Sequence, residues 1–137
     1  MIGRLTEKIG DYLYFLFRIL VGLMFATHGM QKLFGMFGGA AGDGVAVPLV
    51  SLMGLAGTIE LVGGLLIALG LITRLAALIT SLEMLIAYFM AHASNGLVPL
   101  VNRGELALLY FAAFLVVLIY GAKKWGLDLA IFKRELL

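Results

Sequence analysis

The sequence contains no cysteine, only two histidines and two prolines, and 13% charged residues over 137 positions. Without cysteine the chain can make no disulfide, no thiolate metal site and no thiol redox step of its own. Any redox chemistry therefore needs a bound cofactor or another subunit. Two histidines with no third ligand at metal spacing give no metal centre. The charged fraction is about half that of a soluble domain, which excludes a water-soluble globular protein. The net charge of +2 is mild and the basic residues sit toward helix ends, so no nucleic-acid partner is expected. Ser51 and Ser81 have no triad context, which leaves nucleophilic catalysis unsupported.

What the sequence does have is long apolar runs: 63% of its residues are hydrophobic and the mean hydropathy is +1.09. Four stretches read as transmembrane spans, at about 12–34, 49–72, 75–91 and 105–120. The first, at 1.5 Å per residue, is long enough to cross a hydrocarbon core of about 30 Å. It contains Arg18 and has no clear cleavage site after it, so it is read as a retained span and not a signal peptide. Residues 1–11 form a mixed-charge lead-in, Pro48 suits the first turn of the second helix, and Thr73-Arg74 reads as a tight turn. The expected fold is all-α: one domain over 1–137, an antiparallel four-helix bundle in the membrane. The methionines and phenylalanines are packing or lipid-facing residues.

Four spans put both termini on one side. Arg4, Lys8, Arg74, Lys123, Lys124, Lys133 and Arg134 gather there, against Lys32 and Arg103 on the other. This bias predicts a multi-pass protein of the cytoplasmic membrane with N- and C-termini in the cytoplasm. Trp125, beside two lysines, is an interfacial anchor by type.

Polar residues inside or beside the spans are the candidates for function. His28 and Lys32 are four apart and share a helix face, with Gln31 beside them. Glu60 lies mid-span among Ala56, Gly57, Gly63 and Gly64, a small-residue face that lets a neighbouring helix approach and turns the carboxyl into the bundle. His92, Asn102, Arg103 and Glu105 fall toward the same face of the membrane as His28. A charge at a bilayer centre costs at least about 2.5–3.5 kcal/mol, so Arg18, Glu60 and Glu83 need partners or protonation. Two readings follow. In one, His28, Gln31, Lys32, Glu60, His92, Asn102, Arg103 and Glu105 bound a polar cavity that binds a cofactor near the external face. There histidine carries protons, and Lys32 or Arg103 holds an anion or a quinone carbonyl. In the other, the charges pair internally and fix helix register; Arg18 and Glu83 are assigned to this structural class.

Taken together, Arg18, the His28-Gly29-x-x-Lys32-x-Phe34 segment, Glu60-Leu-Val-Gly63-Gly64 with Leu69-Gly70, Asn102-x-Gly104-Glu105 and the stretch from Gly121 to Leu127-Asp128 resemble the DoxX family of small four-helix membrane proteins. The usual Ser-Leu-Asp ending stands here as Gly126-Leu127-Asp128. The resemblance implies a link to membrane-bound oxidoreductase systems, including quinone-coupled ones. The resulting expectation is a membrane subunit of a redox system that binds a quinone or similar lipophilic carrier, with no complete catalytic site of its own. Its partners would be membrane lipids, other subunits or soluble redox proteins, and further copies of itself. The alternatives are a non-enzymatic scaffold or assembly factor that recruits soluble partners, and a proton-linked small-solute transporter.

Overall fold

The computed structural model of the chain describes residues 2–136, and the side chains of Ile2, Arg4 and Lys8 lie outside that description, so the placement of Arg4 and Lys8 in the basic cluster is not addressed by it. The described residues form helices α1 (Ile2–Phe34), α2 (Leu52–Leu69), α3 (Thr73–Ala87), α4 (Pro99–Asn102), α5 (Glu105–Tyr120) and α6 (Leu127–Phe132). No strand occurs among them. Three stretches, Ile9–Phe34, Leu52–Leu69 and Thr73–Asn95, are long and apolar enough to cross a bilayer. The fourth, α5, has 16 residues and spans about 24 Å. The protein is a helical membrane bundle, with leucines such as Leu13, Leu16, Leu20, Leu65 and Leu78 exposed on its outside.

Local chemistry moves several of the expected boundaries. Lead-in and first span are one unbroken helix. The second span begins at Leu52 and not at Leu49, because the Ser51 hydroxyl accepts the Gly54 N–H at 3.0 Å and caps the helix there, while donating to the Pro48 carbonyl at 2.6 Å. It ends at Leu69, since Gly70 takes a left-handed conformation, φ 72°. The tight turn is therefore Gly70–Ile72, and Thr73-Arg74 already belongs to α3. Past Ala87, α3 widens into a π-type turn over Tyr88–His92 and closes with a 3₁₀ turn over Ala93–Asn95.

Packing is closest between α1 and α2, where small residues bring the two backbones together. A Cβ on Gly29 would stand 2.6 Å from the Gly57 carbonyl oxygen, and one on Gly22 would stand 2.6 Å from that of Gly64. Helix α3 packs on α5, and side chains of α1, α2, α3 and α5 meet in a core of Phe25, Ile67, Ala76, Ala77, Met84, Tyr110, Phe114 and Val117. The α2–α3 pair is tight where Gly63 faces the Thr80 side chain, since a Cβ there would collide with it.

The end that carries the termini is closed by hydrogen bonds to helix ends. The fully buried Arg18 donates to the carbonyls of Ile67 and Ala68 at the last turn of α2 and to that of Trp125. Arg74 donates to the carbonyls of Leu118 and Ile119 at the end of α5. Both are the favoured place for a cation, against the partial negative charge of a helix C-terminus. Asp128, also fully buried, accepts from the backbone N–H of Ile72 and Leu136 at 2.8 and 3.1 Å, which ties α6 to the α2–α3 turn. Trp125 lies against Tyr12 and Phe15, with centroids 4.8 and 5.4 Å apart.

Candidate functional site

Away from that end the bundle encloses a cavity of about 420 Å³, bounded by α1, α2, α3 with its π-type turn, and α5. That volume is within the range of small-molecule sites. Its wall is mostly apolar, with Phe25, Met53, Met84 and Met90 among the lining residues, and its polar groups are His28, Lys32, Glu60, Glu83, His92, Arg103 and Tyr110.

Close approach of α1 and α2 places the first of these. A side chain at position 57 would press on Lys32, with 2.9 Å between the two Cβ atoms, so glycine there leaves room for Lys32 to lie along α2. Lys32 meets Glu60 in an ion pair through Oε1, with side chains 17% and 4% exposed. The other Glu60 oxygen, Oε2, is buried without a hydrogen-bond partner among the described residues. Glu83 is in the same position with both carboxyl oxygens, and so is the Tyr110 hydroxyl. Buried polar groups are nearly always hydrogen-bonded, and each unpaired one costs about 1–3 kcal/mol. Four unpaired oxygens around one apolar cavity therefore mark a place where a further polar group is wanted. His28 approaches Tyr110 edge to face, centroids 5.8 Å apart, and helps to hold that ring in the wall.

Of the residues singled out from the sequence, the structure gathers His28, Lys32, Glu60, His92 and Arg103 around the cavity. Gln31, Asn102 and Glu105 are not in its lining. Asn102 instead organises the loop beside it: its amide donates to the Gly96 carbonyl at 2.7 Å and the Tyr88 hydroxyl at 3.2 Å, and its Oδ1 accepts the Gly104 N–H at 2.8 Å. Its backbone carbonyl lies 3.1 Å from His92 Nδ1, so Asn102 positions His92 in the wall. Glu105 is exposed in the first turn of α5.

The internal ion pairing expected among Arg18, Glu60 and Glu83 takes a different form. Arg18 spends its donors on backbone carbonyls at the far end of α2, and Lys32 is the partner of Glu60. Among the described residues Glu83 has no partner, and it faces the cavity. Tyr110 is not among the residues that the sequence points to, although it carries a signal: between Glu105 and Tyr120 it is the only residue whose side chain has a polar atom.

The DoxX family model matches residues 13–93, which include α2, α3 and most of α1. An "Uncharacterized protein" of Haemophilus influenzae is 42% identical over 93% of this chain and 97% of its own length. A Bacillus subtilis protein named "Putative oxidoreductase CatD" is 29% identical over 88% of this chain and 87% of its own. An "Uncharacterized membrane protein" of Mycobacterium tuberculosis is 30% identical over 96% and 88%. No solved structure matches. A family match over more than half of the sequence, together with a relative aligned almost end to end, makes this chain a member of the DoxX family.

Proposed function

We infer that the cavity binds a quinone or similar lipophilic carrier, and that the protein is a membrane subunit of a redox system. The observation that carries this reading is the combination of an apolar wall with four unpartnered buried oxygens, on Glu60, Glu83 and Tyr110. A quinone ring matches both halves: its faces are apolar, and its two oxygens accept hydrogen bonds when oxidised and donate them when reduced. Lys32 and the Tyr110 hydroxyl supply donors, the carboxylates supply acceptors, and the His28 imidazole stands beside them as a further polar group. The name of the Bacillus subtilis relative points the same way. The electrons themselves would pass to or from a partner subunit, since the sequence holds no thiol pair.

The test is titration of purified protein with 2,3-dimethoxy-5-methyl-1,4-benzoquinone, beside the same titration of Tyr110→Phe. Wild type should saturate, and loss of the single hydroxyl should weaken binding about tenfold, the value of one hydrogen bond in a dry site. Absence of saturable binding would remove the redox reading and favour a scaffold whose polar groups serve no ligand.

The same reading places the protein in the cytoplasmic membrane with its termini in the cytoplasm, on the basis of the lysines and arginines at that end. A cysteine-free chain suits single-cysteine labelling. With a membrane-impermeant maleimide on intact cells, Ser94→Cys should react and Ala130→Cys should not; the opposite pattern would invert the topology.

A further inference from the structure

Beside the cavity, on the outer face of the α2–α3 pair, runs a second depression of about 300 Å³, lined by Leu52, Leu55, Ala56, Ile59, Ile79, Leu82, Glu83 and Ile86. Leu52, Ala56, Glu83 and Ile86 line both spaces, so the two adjoin along a seam formed by the first half of α2 and the second half of α3. The reason is in the packing. Gly63 admits Thr80 and holds the helices together near the turn, whereas one to two turns further on the facing residues are Ala56 and Ile86, with the cavity behind them. Leu52, Leu55, Ile79, Leu82 and Ile86 are exposed and face outward, where a membrane protein meets hydrocarbon. Glu83 is the single ionisable residue of the groove, and it sits on the seam.

Resting on the quinone reading, we propose that the seam between α2 and α3 is a lateral portal, and that the ligand is an amphiphile whose polar head occupies the cavity while its apolar tail leaves through the portal and lies in the groove. The occupant of the groove is thus the ligand's own tail. Continuity with the cavity selects this over a second protein: four shared residues join the groove to the polar groups, and a helix laid on the outside would leave the inner cavity empty. Glu83 stands where head and tail join, so its carboxyl addresses the rim of the head group. A ligand of this form enters from the bilayer and need not cross the aqueous loops.

The test uses 2,3-dimethoxy-5-methyl-1,4-benzoquinone and its 6-decyl derivative on purified wild type and on Ile59→Trp, which fills the groove without touching the cavity lining. Leu82→Trp, on the other side of the groove, serves the same purpose if the first variant does not fold. In wild type the decyl compound should bind about three- to tenfold tighter, because its tail leaves detergent and not water and so gains only part of the usual value for buried methylenes. In the tryptophan variants that advantage should vanish while affinity for the tailless compound stays within about twofold. Equal affinity of the two compounds for wild type, or an advantage that survives both tryptophans, would overturn the portal and leave the quinone reading standing. Failure of both compounds to bind wild type would overturn the quinone reading and the portal with it.

Discussion

The two ends of this bundle treat buried charge in opposite ways. Where the termini lie, Arg18, Arg74 and Asp128 each make at least two hydrogen bonds to backbone groups, and their atoms left over, Arg18 Nε and Asp128 Oδ1, belong to side chains already engaged; the neutral Thr73 hydroxyl is a further buried atom there without a partner among the described residues. Around the cavity, among the described residues, Glu83 makes none, Tyr110 leaves its hydroxyl unmet, and Glu60 uses one oxygen of two. The first end is a clamp that fastens helix termini and the C-terminal segment. The second holds polar capacity in reserve, which is what the quinone reading draws on.

The largest expected effect belongs to the clamp. Arg18→Leu leaves the carbonyls of Ala68 and Trp125 without the Arg18 donor and that of Ile67 with only the Gly70 N–H, and should destabilise the detergent-solubilised protein by about 4 kcal/mol, read as a lowered Tm. A small change would mean that those helix-end carbonyls find other donors and that the clamp is not one. Next comes Lys32→Met, which strands the Glu60 carboxyl. Because Lys32 keeps 17% exposure, the low end of the range for broken buried pairs applies, about 3 kcal/mol. The double variant Lys32→Met, Glu60→Leu should recover most of that loss, and absence of recovery would show that the two residues are not coupled.

Much of the fold was legible because a membrane allows few solutions: apolar runs of spanning length and the small residues around Glu60 at a close helix contact each have a direct physical reading, whereas Gly70, read as lying inside the second span, in fact ends it. Partners of charged groups were less so. Arg18 was matched with carboxylates because side chains are visible in a sequence, whereas its true acceptors are the backbone carbonyls that every helix end exposes. Ser51 outcompeted Pro48 as the start of α2 for a similar reason, since a cap depends on which N–H the hydroxyl reaches. Tyr110 went unseen because a tyrosine within an apolar run reads as packing, and only the location of its hydroxyl at the cavity distinguishes it.

Asn102 lies between the two regimes, polar and near the cavity yet fully engaged. Asn102→Ala should cost about 1–2 kcal/mol by loosening the loop around Gly96 and Gly104, and should weaken quinone binding only slightly, since the backbone carbonyl that meets His92 is kept and only the loop carrying it relaxes. A loss of binding as large as that of Tyr110→Phe, with stability unchanged, would move Asn102 from supporting the wall to meeting the ligand.

The smallest expected change in stability is the one that separates the two ends most sharply. Glu83 and Glu60 are carboxylates on neighbouring helices, lining one cavity, but only Glu60 has a cation. Replacing Glu83 by leucine removes a group that none of the described residues satisfies, so Glu83→Leu should leave Tm unchanged or raise it, by no more than about 1 kcal/mol of stability. On the quinone reading, binding of the reduced carrier 2,3-dimethoxy-5-methyl-1,4-benzoquinol, whose hydroxyl can donate to the carboxylate, should nevertheless fall about tenfold. If Glu83→Leu instead destabilised the protein as much as Lys32→Met, Glu83 would be fastening helices as Arg18 does. The distinction between a saturated end and a receptive one would then fail at its most exposed point.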